Sequence, residues 1–237
     1  MREENSFLKG VKDGLPICFG YLSVAFAFGI FALANGLNIA EAVLMSMTNV
    51  TSAGQLAAVP IIATGGTLIE LAVSQLVINL RYALMSVSLS QKLGPSVRLI
   101  DRFVISFVNT DEVFAVASSQ EGTVGRKYLY GLILTPFLGW SAGTLIGAAA
   151  GQFLPEIVIS ALGIAIYAMF VAIVLPKAKK HRPTAACVLI AIVLSCAFTY
   201  VPVLKDIPRG FTVIICAVIA AAVLAVLAPV GEEEGHA

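Results

Sequence analysis

Charge is what this sequence has least of: 12% of its 237 residues are Asp, Glu, Lys or Arg, against about a quarter in soluble globular domains. That scarcity excludes a soluble fold, because 59% hydrophobic residues leave too little polar surface to wet an exterior. The net charge of +1 excludes the basic footprint of a nucleic-acid-binding chain. Histidine occurs twice, and His181 and His236 lie in a loop and in the tail, so no apolar segment offers an imidazole as base or metal ligand. The four cysteines, Cys18, Cys187, Cys196 and Cys216, stand singly in apolar segments without CxxC spacing. They read as small buried residues and not as disulfides or a metal cluster. A GxxxxGK[ST] phosphate loop is missing, so the chain carries no ATP site of its own. Met1 to Gly10 is polar and lacks the apolar core and cleavage site of a signal peptide, so the first apolar helix is expected to serve as its own insertion signal.

What fills the chain instead is apolar sequence. Mean hydropathy is +0.94, and uncharged runs exceed the roughly 18 residues that a spanning helix needs. Eight apolar segments run over 14–35, 40–63, 67–90, 103–119, 128–151, 156–175, 184–203 and 208–229. Short loops join them, and no linker divides the chain. The expected fold is all-α: one polytopic transmembrane bundle over residues 1–237 with seven or eight membrane segments, some broken or re-entrant. Lys177, Lys179, Lys180 and Arg182 mark the loop after segment six as cytoplasmic, with Lys92, Arg98 and Arg102 voting alike after segment three and Arg126 and Lys127 after segment four. Eight plain crossings would put the loop after segment three on the wrong face. Either segment four is re-entrant, leaving seven effective crossings, or one loop misleads. Segments one and five both begin with a proline followed by spaced glycines, Pro16, Gly20 and Gly29 against Pro136, Gly139, Gly143 and Gly147; this is a weak hint of an internal repeat.

Polar chemistry is confined to segments two, three and four. Thr48, Ser52 and Gln55 share one face if their helix is continuous. Ala53-Gly54 offers a point where it could break and present backbone amides to a carboxylate; the alternative is ordinary polar contact between helices. In segment three, Glu70 and Arg81 fall on nearly one face with Ser74, and Gln75 and Asn79 point away. Arg81 either pairs at membrane depth or lies near the interface and snorkels. Segment four holds Asn109 and Thr110 before the adjacent carboxylates Asp111 and Glu112. Neighbouring carboxylates in a low-dielectric site resist both being charged. One is therefore expected to pair with Arg81 and the other to exchange a proton, unless Thr110-Asp111-Glu112 simply caps a helix. Gly139, Gly143, Gly147 and Gly151 form a stripe for close helix packing. The GxSxG match at Gly139 to Gly143 sits inside that helix without a histidine base and reads as packing. Asn49-Val50-Thr51 matches a glycosylation acceptor but lies in an apolar segment.

The sequence resembles the AzlC family, the large subunits of two-component branched-chain amino-acid exporters. The likeness rests on Gly14-Leu15-Pro16 with Gly20-Tyr21, Ala25-Phe26-Ala27-Phe28-Gly29, Gly36-Leu37 with Glu41-Ala42-Val43-Leu44-Met45-Ser46, Ala53-Gly54-Gln55-Leu56-Ala57, Asn79-Leu80-Arg81-Tyr82 and Thr110-Asp111-Glu112-Val113-Phe114-Ala115, in that order. The resemblance implies export of hydrophobic L-amino acids across the cytoplasmic membrane, driven by a proton or ion gradient, with a small AzlD-type membrane partner and no cofactor. One departure stands out: the stretch before Gln55 is more polar and less aromatic than the family pattern, and Leu56 follows where the family has Phe. On this reading Thr48, Asn49, Ser52, Gly54, Gln55 and Asn79 bind substrate, and Glu70, Arg81, Asp111 and Glu112 carry charge or coupling. A passive channel or a transporter of another small solute and, more remotely, an intramembrane enzyme are the competing readings.

Overall fold

The computed structural model describes residues 3–204 and 207–228; His236 and the last residue of segment eight, Pro229, lie outside them. Among the described residues all eight apolar segments are helical, and they give ten α-helices because segments two and four are each split. Helix α1 is Phe7–Ala34; segment two is α2, Ile39–Thr48, and α3, Ser52–Ala63; α4 is Leu68–Ser90. Segment four is α5, Leu99–Phe107, and α6, Asp111–Ser119, followed by α7, Arg126–Gly151, α8, Glu156–Lys180, α9, Arg182–Tyr200, and α10, Arg209–Leu227. Strands β1, Glu3–Glu4, and β2, Thr123–Val124, form a two-residue parallel pairing.

The helices start where side chains can replace missing backbone acceptors. Asn38 and Glu41 make a reciprocal capping box at α2. Thr51, Thr67 and Thr110 each accept an amide of their own first turn, opening α3, α4 and α6. The tight turns before α2 and α4 use Gly36 and Gly65, both at positive φ, where a side chain would be strained.

Helices α1 and α7 form the centre and run parallel. Gly131 lies against Phe7, Gly139 against Cys18, Gly143 against Leu22 and Gly147 against Phe26, each so close that a methyl group would strike the α1 backbone. Gly151 makes only ordinary contact, its nearest neighbour 3.6 Å from where a Cβ would sit. Without a hydrophobic drive between helices in lipid, such close approach is what holds a pair together.

The ends of the helices fix the topology. The start of α1, the end of α4, the end of α6 and the start of α7 meet on one face: Leu93 bridges Val124, Val124 pairs with Glu4, Lys9 reaches Gln120 and the Arg126 amide donates to Ser96. Segment four therefore enters and leaves on the same face. Segment two does likewise from the opposite face. Helix α2 descends beside α7, with Ser46 on Thr144, and α3 returns antiparallel to α4, with Gly54 beside Gln75 and Ile61 near Glu70. At about 1.5 Å per residue, helices of 9 to 12 residues reach about halfway across a ~30 Å hydrocarbon core. Helices α1, α4, α7, α9 and α10 are long and apolar enough to cross it, and α8, with 25 residues, matches them in length.

Three expectations change as a result. Segment two is a hairpin and not a crossing. Its break also falls at Asn49-Val50-Thr51 and not at Ala53-Gly54, which lie in the first turn of α3. The reason is local: a β-branched residue and an asparagine favour non-helical backbone, and Thr51 caps the restart. Segments one and five do not head like halves either, since a broken hairpin follows α1 and the continuous α8 follows α7.

Candidate functional site

Both breaks lie inside the bundle, beside the middle of α4. Val50 from one and Val108 from the other share a buried apolar cluster with Tyr21 and Trp140, whose rings meet edge to face at 5.2 Å. Tyr21 is near the middle of α1. Two helix starts, those of α3 and α6, thus lie inside the bundle, each with first-turn amides that have no helical acceptor. Irregular backbone is tolerated at that depth only when protein or a watery space surrounds it.

Helix α4 runs past both breaks and meets each with a polar group. On the α3 side, Asn49 and Asn79 both donate to Gln75 Oε1, each at 3.2 Å, and Gln75 Nε2 donates to the Gly54 carbonyl at 2.9 Å. Asn79 Oδ1 is buried without a partner among the described residues. On the α6 side, the Arg81 guanidinium holds Asp111 at 2.6 Å and donates to Tyr82 at 3.0 Å. Glu112 takes a hydrogen bond from the Tyr21 hydroxyl, which also bonds Thr110 Oγ1 at 2.6 Å. Asp111 and Glu112 both occupy the first turn of α6, where the helix dipole favours negative charge. Capping and ion pairing are therefore served by the same residues. Arg81 and Asp111 remain about half exposed, at 49% and 46% of their side chains.

The other sequence candidates are placed elsewhere. Thr48, Ser52 and Gln55 do not share a face, because the helix is interrupted between them; Thr48 is exposed and bonds the Leu44 carbonyl of its own helix. Gln55 is fully buried. Its Nε2 donates to Ser46 at 2.7 Å, and Ser46 bonds Thr144 at 2.6 Å, so it fastens α3 to α2 and α7. Glu70 stands apart from Arg81: it is buried and accepts the Gly210 amide at 2.8 Å, holding the first turn of α10. Sequence reasoning did not assign a role to Tyr21, Gln75, Ser46, Thr144 or Asn109. Their only signal was a polar residue within an apolar run, which does not say which helix it will meet.

Residues 16–154 match the protein family described as AzlC protein. Among relatives, an uncharacterized membrane protein of Archaeoglobus fulgidus is 34% identical over 76% of this chain and 80% of its own. The inner membrane protein YgaZ of Escherichia coli is 31% identical over 79% of each, and an uncharacterized membrane protein of Helicobacter pylori is 24% identical over 62% of this chain and 67% of its own. No solved structure matches. The family and these membrane-protein relatives support a role in membrane transport.

Proposed function

The chain belongs to the AzlC family, and from that premise we propose that it is a secondary transporter that exports hydrophobic, branched-chain L-amino acids across the cytoplasmic membrane. The observation that carries this reading is that two half-depth hairpins, entering from opposite faces, each set a helix start against polar residues of α4. Paired broken helices with their starts at mid-depth are the arrangement in which transporters hold small anionic groups. The carboxylate of the substrate would lie against the first amides of α3, at Ser52 and near Gly54, with Asn49 and Asn79 beside it. The basic face, which carries Lys9, Lys92, Arg98, Arg126 and Lys127, would be cytoplasmic.

Coupling follows from the unlike surroundings of the two carboxylates. Asp111 is held by a permanent cation, Arg81, whereas Glu112 accepts a hydrogen bond from the Tyr21 hydroxyl. We assign the coupling role to Glu112, the one of the two carboxylates that has no ion pair among the described residues. The half-exposed Arg81–Asp111 pair would not face lipid at that depth; an aqueous cavity or the small AzlD-type partner covers it.

The test is leucine and valine counterflow in proteoliposomes, with the chain alone and with its partner, at several pH values. Saturable exchange with a pH dependence is expected. Flux of a hydrophobic amino acid that ignores the proton gradient would favour a passive channel, and no exchange of any such amino acid would overturn the reading.

A further inference from the structure

A cavity of about 180 Å³ opens between α4 and α5, on the basic-face side of the mid-depth site. Its deep end is Asn109, 3% exposed, whose Nδ2 donates to Ser86 at 3.2 Å and whose Oδ1 has no partner among the described residues. Its walls include Leu89 and Phe103, and Arg102 lines it from the first half of α5 without an ion pair among the described residues. An orphaned buried carbonyl oxygen calls for a donor, and an unpaired guanidinium for an anion. Both residues line the same cavity.

We infer that this crevice is a second solute site, in which a zwitterionic amino acid is held with its ammonium on Asn109 Oδ1, its carboxylate on Arg102 and its apolar side chain on Leu89 and Phe103. It rests on the amino-acid reading above and adds a station on the basic-face route to the mid-depth site. A lipid would suit the arginine and the apolar walls, but an acyl chain gives nothing to the Asn109 oxygen or to the Ser86 hydroxyl at the deep end.

The test uses the full chain in neutral-lipid nanodiscs, with the four native cysteines replaced and Ser106→Cys introduced on the crevice wall. L-leucine is expected to slow maleimide labelling of the new thiol. Leucine methyl ester, which lacks the carboxylate, and 4-methylpentanoate, which lacks the ammonium, are expected not to. Arg102→Ala should weaken protection by leucine about tenfold, the scale of one charged contact. Labelling indifferent to leucine overturns the proposal, as does equal protection by a single-headed analogue. Protection by added anionic phosphatidylglycerol in place of leucine would assign the crevice to a lipid head group and overturn it too. Counterflow on the same preparation separates the two readings. Exchange without protection removes the crevice and leaves the exporter; protection without exchange removes the exporter and leaves the crevice.

Discussion

At the scale of single residues, the decisive fact is that adjacent carboxylates have different partners. Asp111 is bound by Arg81 and Glu112 by Tyr21, so their neutral replacements are expected to act differently. Glu112→Gln should flatten the pH dependence of leucine counterflow. Asp111→Asn should slow exchange while keeping its pH profile, because it removes an ion-pair acceptor and leaves Glu112, the proposed proton site, intact. A flattened profile in Asp111→Asn instead would reverse the assignment. Ser46 makes a separate case. It sits fully buried between Gln55 and Thr144, and Ser46→Ala leaves both without that partner. Such a loss costs about 1–3 kcal/mol and should appear as a lower unfolding temperature in detergent, partly recovered by adding Gln55→Leu. The sequence marked Arg81, Asp111 and Glu112 as charges in apolar segments, where charge is costly whatever the fold, and left open whether Arg81 pairs at depth or snorkels. It could not choose between the two carboxylates, since that depends on which of them α4 and α1 approach.

At the scale of elements, both hairpins are built alike: an asparagine and a valine in the break, then a threonine that caps the restarting helix. Either cap, replaced by valine, is expected to lose about 1 kcal/mol. The two should part in a double-mutant cycle with Tyr21→Phe, read by thermal unfolding. Thr110 bonds Tyr21 and should show coupling, whereas Thr51 caps only its own helix and should be additive. The α1–α7 pair is equally specific. Gly147 leaves no room for a methyl group against Phe26, so Gly147→Leu should separate the pair and abolish folded yield, while Gly151→Ala, at an ordinary contact, should be tolerated. The glycine stripe was legible because spacing alone puts it on one helix face. The position of the break in segment two was less so, because Gly54 is the more obvious helix breaker and yet fits a helix whose start is already capped by Thr51.

At the scale of the whole molecule, segments two and four reach halfway in and return. This places the loops after α4 and after α6 on one face, as their basic residues ask. Single cysteines at Pro95 and Glu121 should therefore react with an impermeant thiol reagent from the same side of the membrane, and one at Thr64 from the other. Labelling of 95 and 121 from opposite sides would restore a plain crossing.

The sequence by itself determined that this chain lives in a bilayer, which stretches are helical and that the polar chemistry lies in segments two to four. These follow from composition and from the cost of wetting apolar surface or of burying charge, and neither cost depends on how the helices are arranged. Only the tertiary structure decided that two apolar segments double back, because two half-depth helices and one full crossing have the same length and hydropathy. The same packing decided that Gln55 and Glu70 fasten helices together and that Asp111 alone meets Arg81, since a hydrogen bond is settled by the neighbour that arrives from elsewhere in the chain.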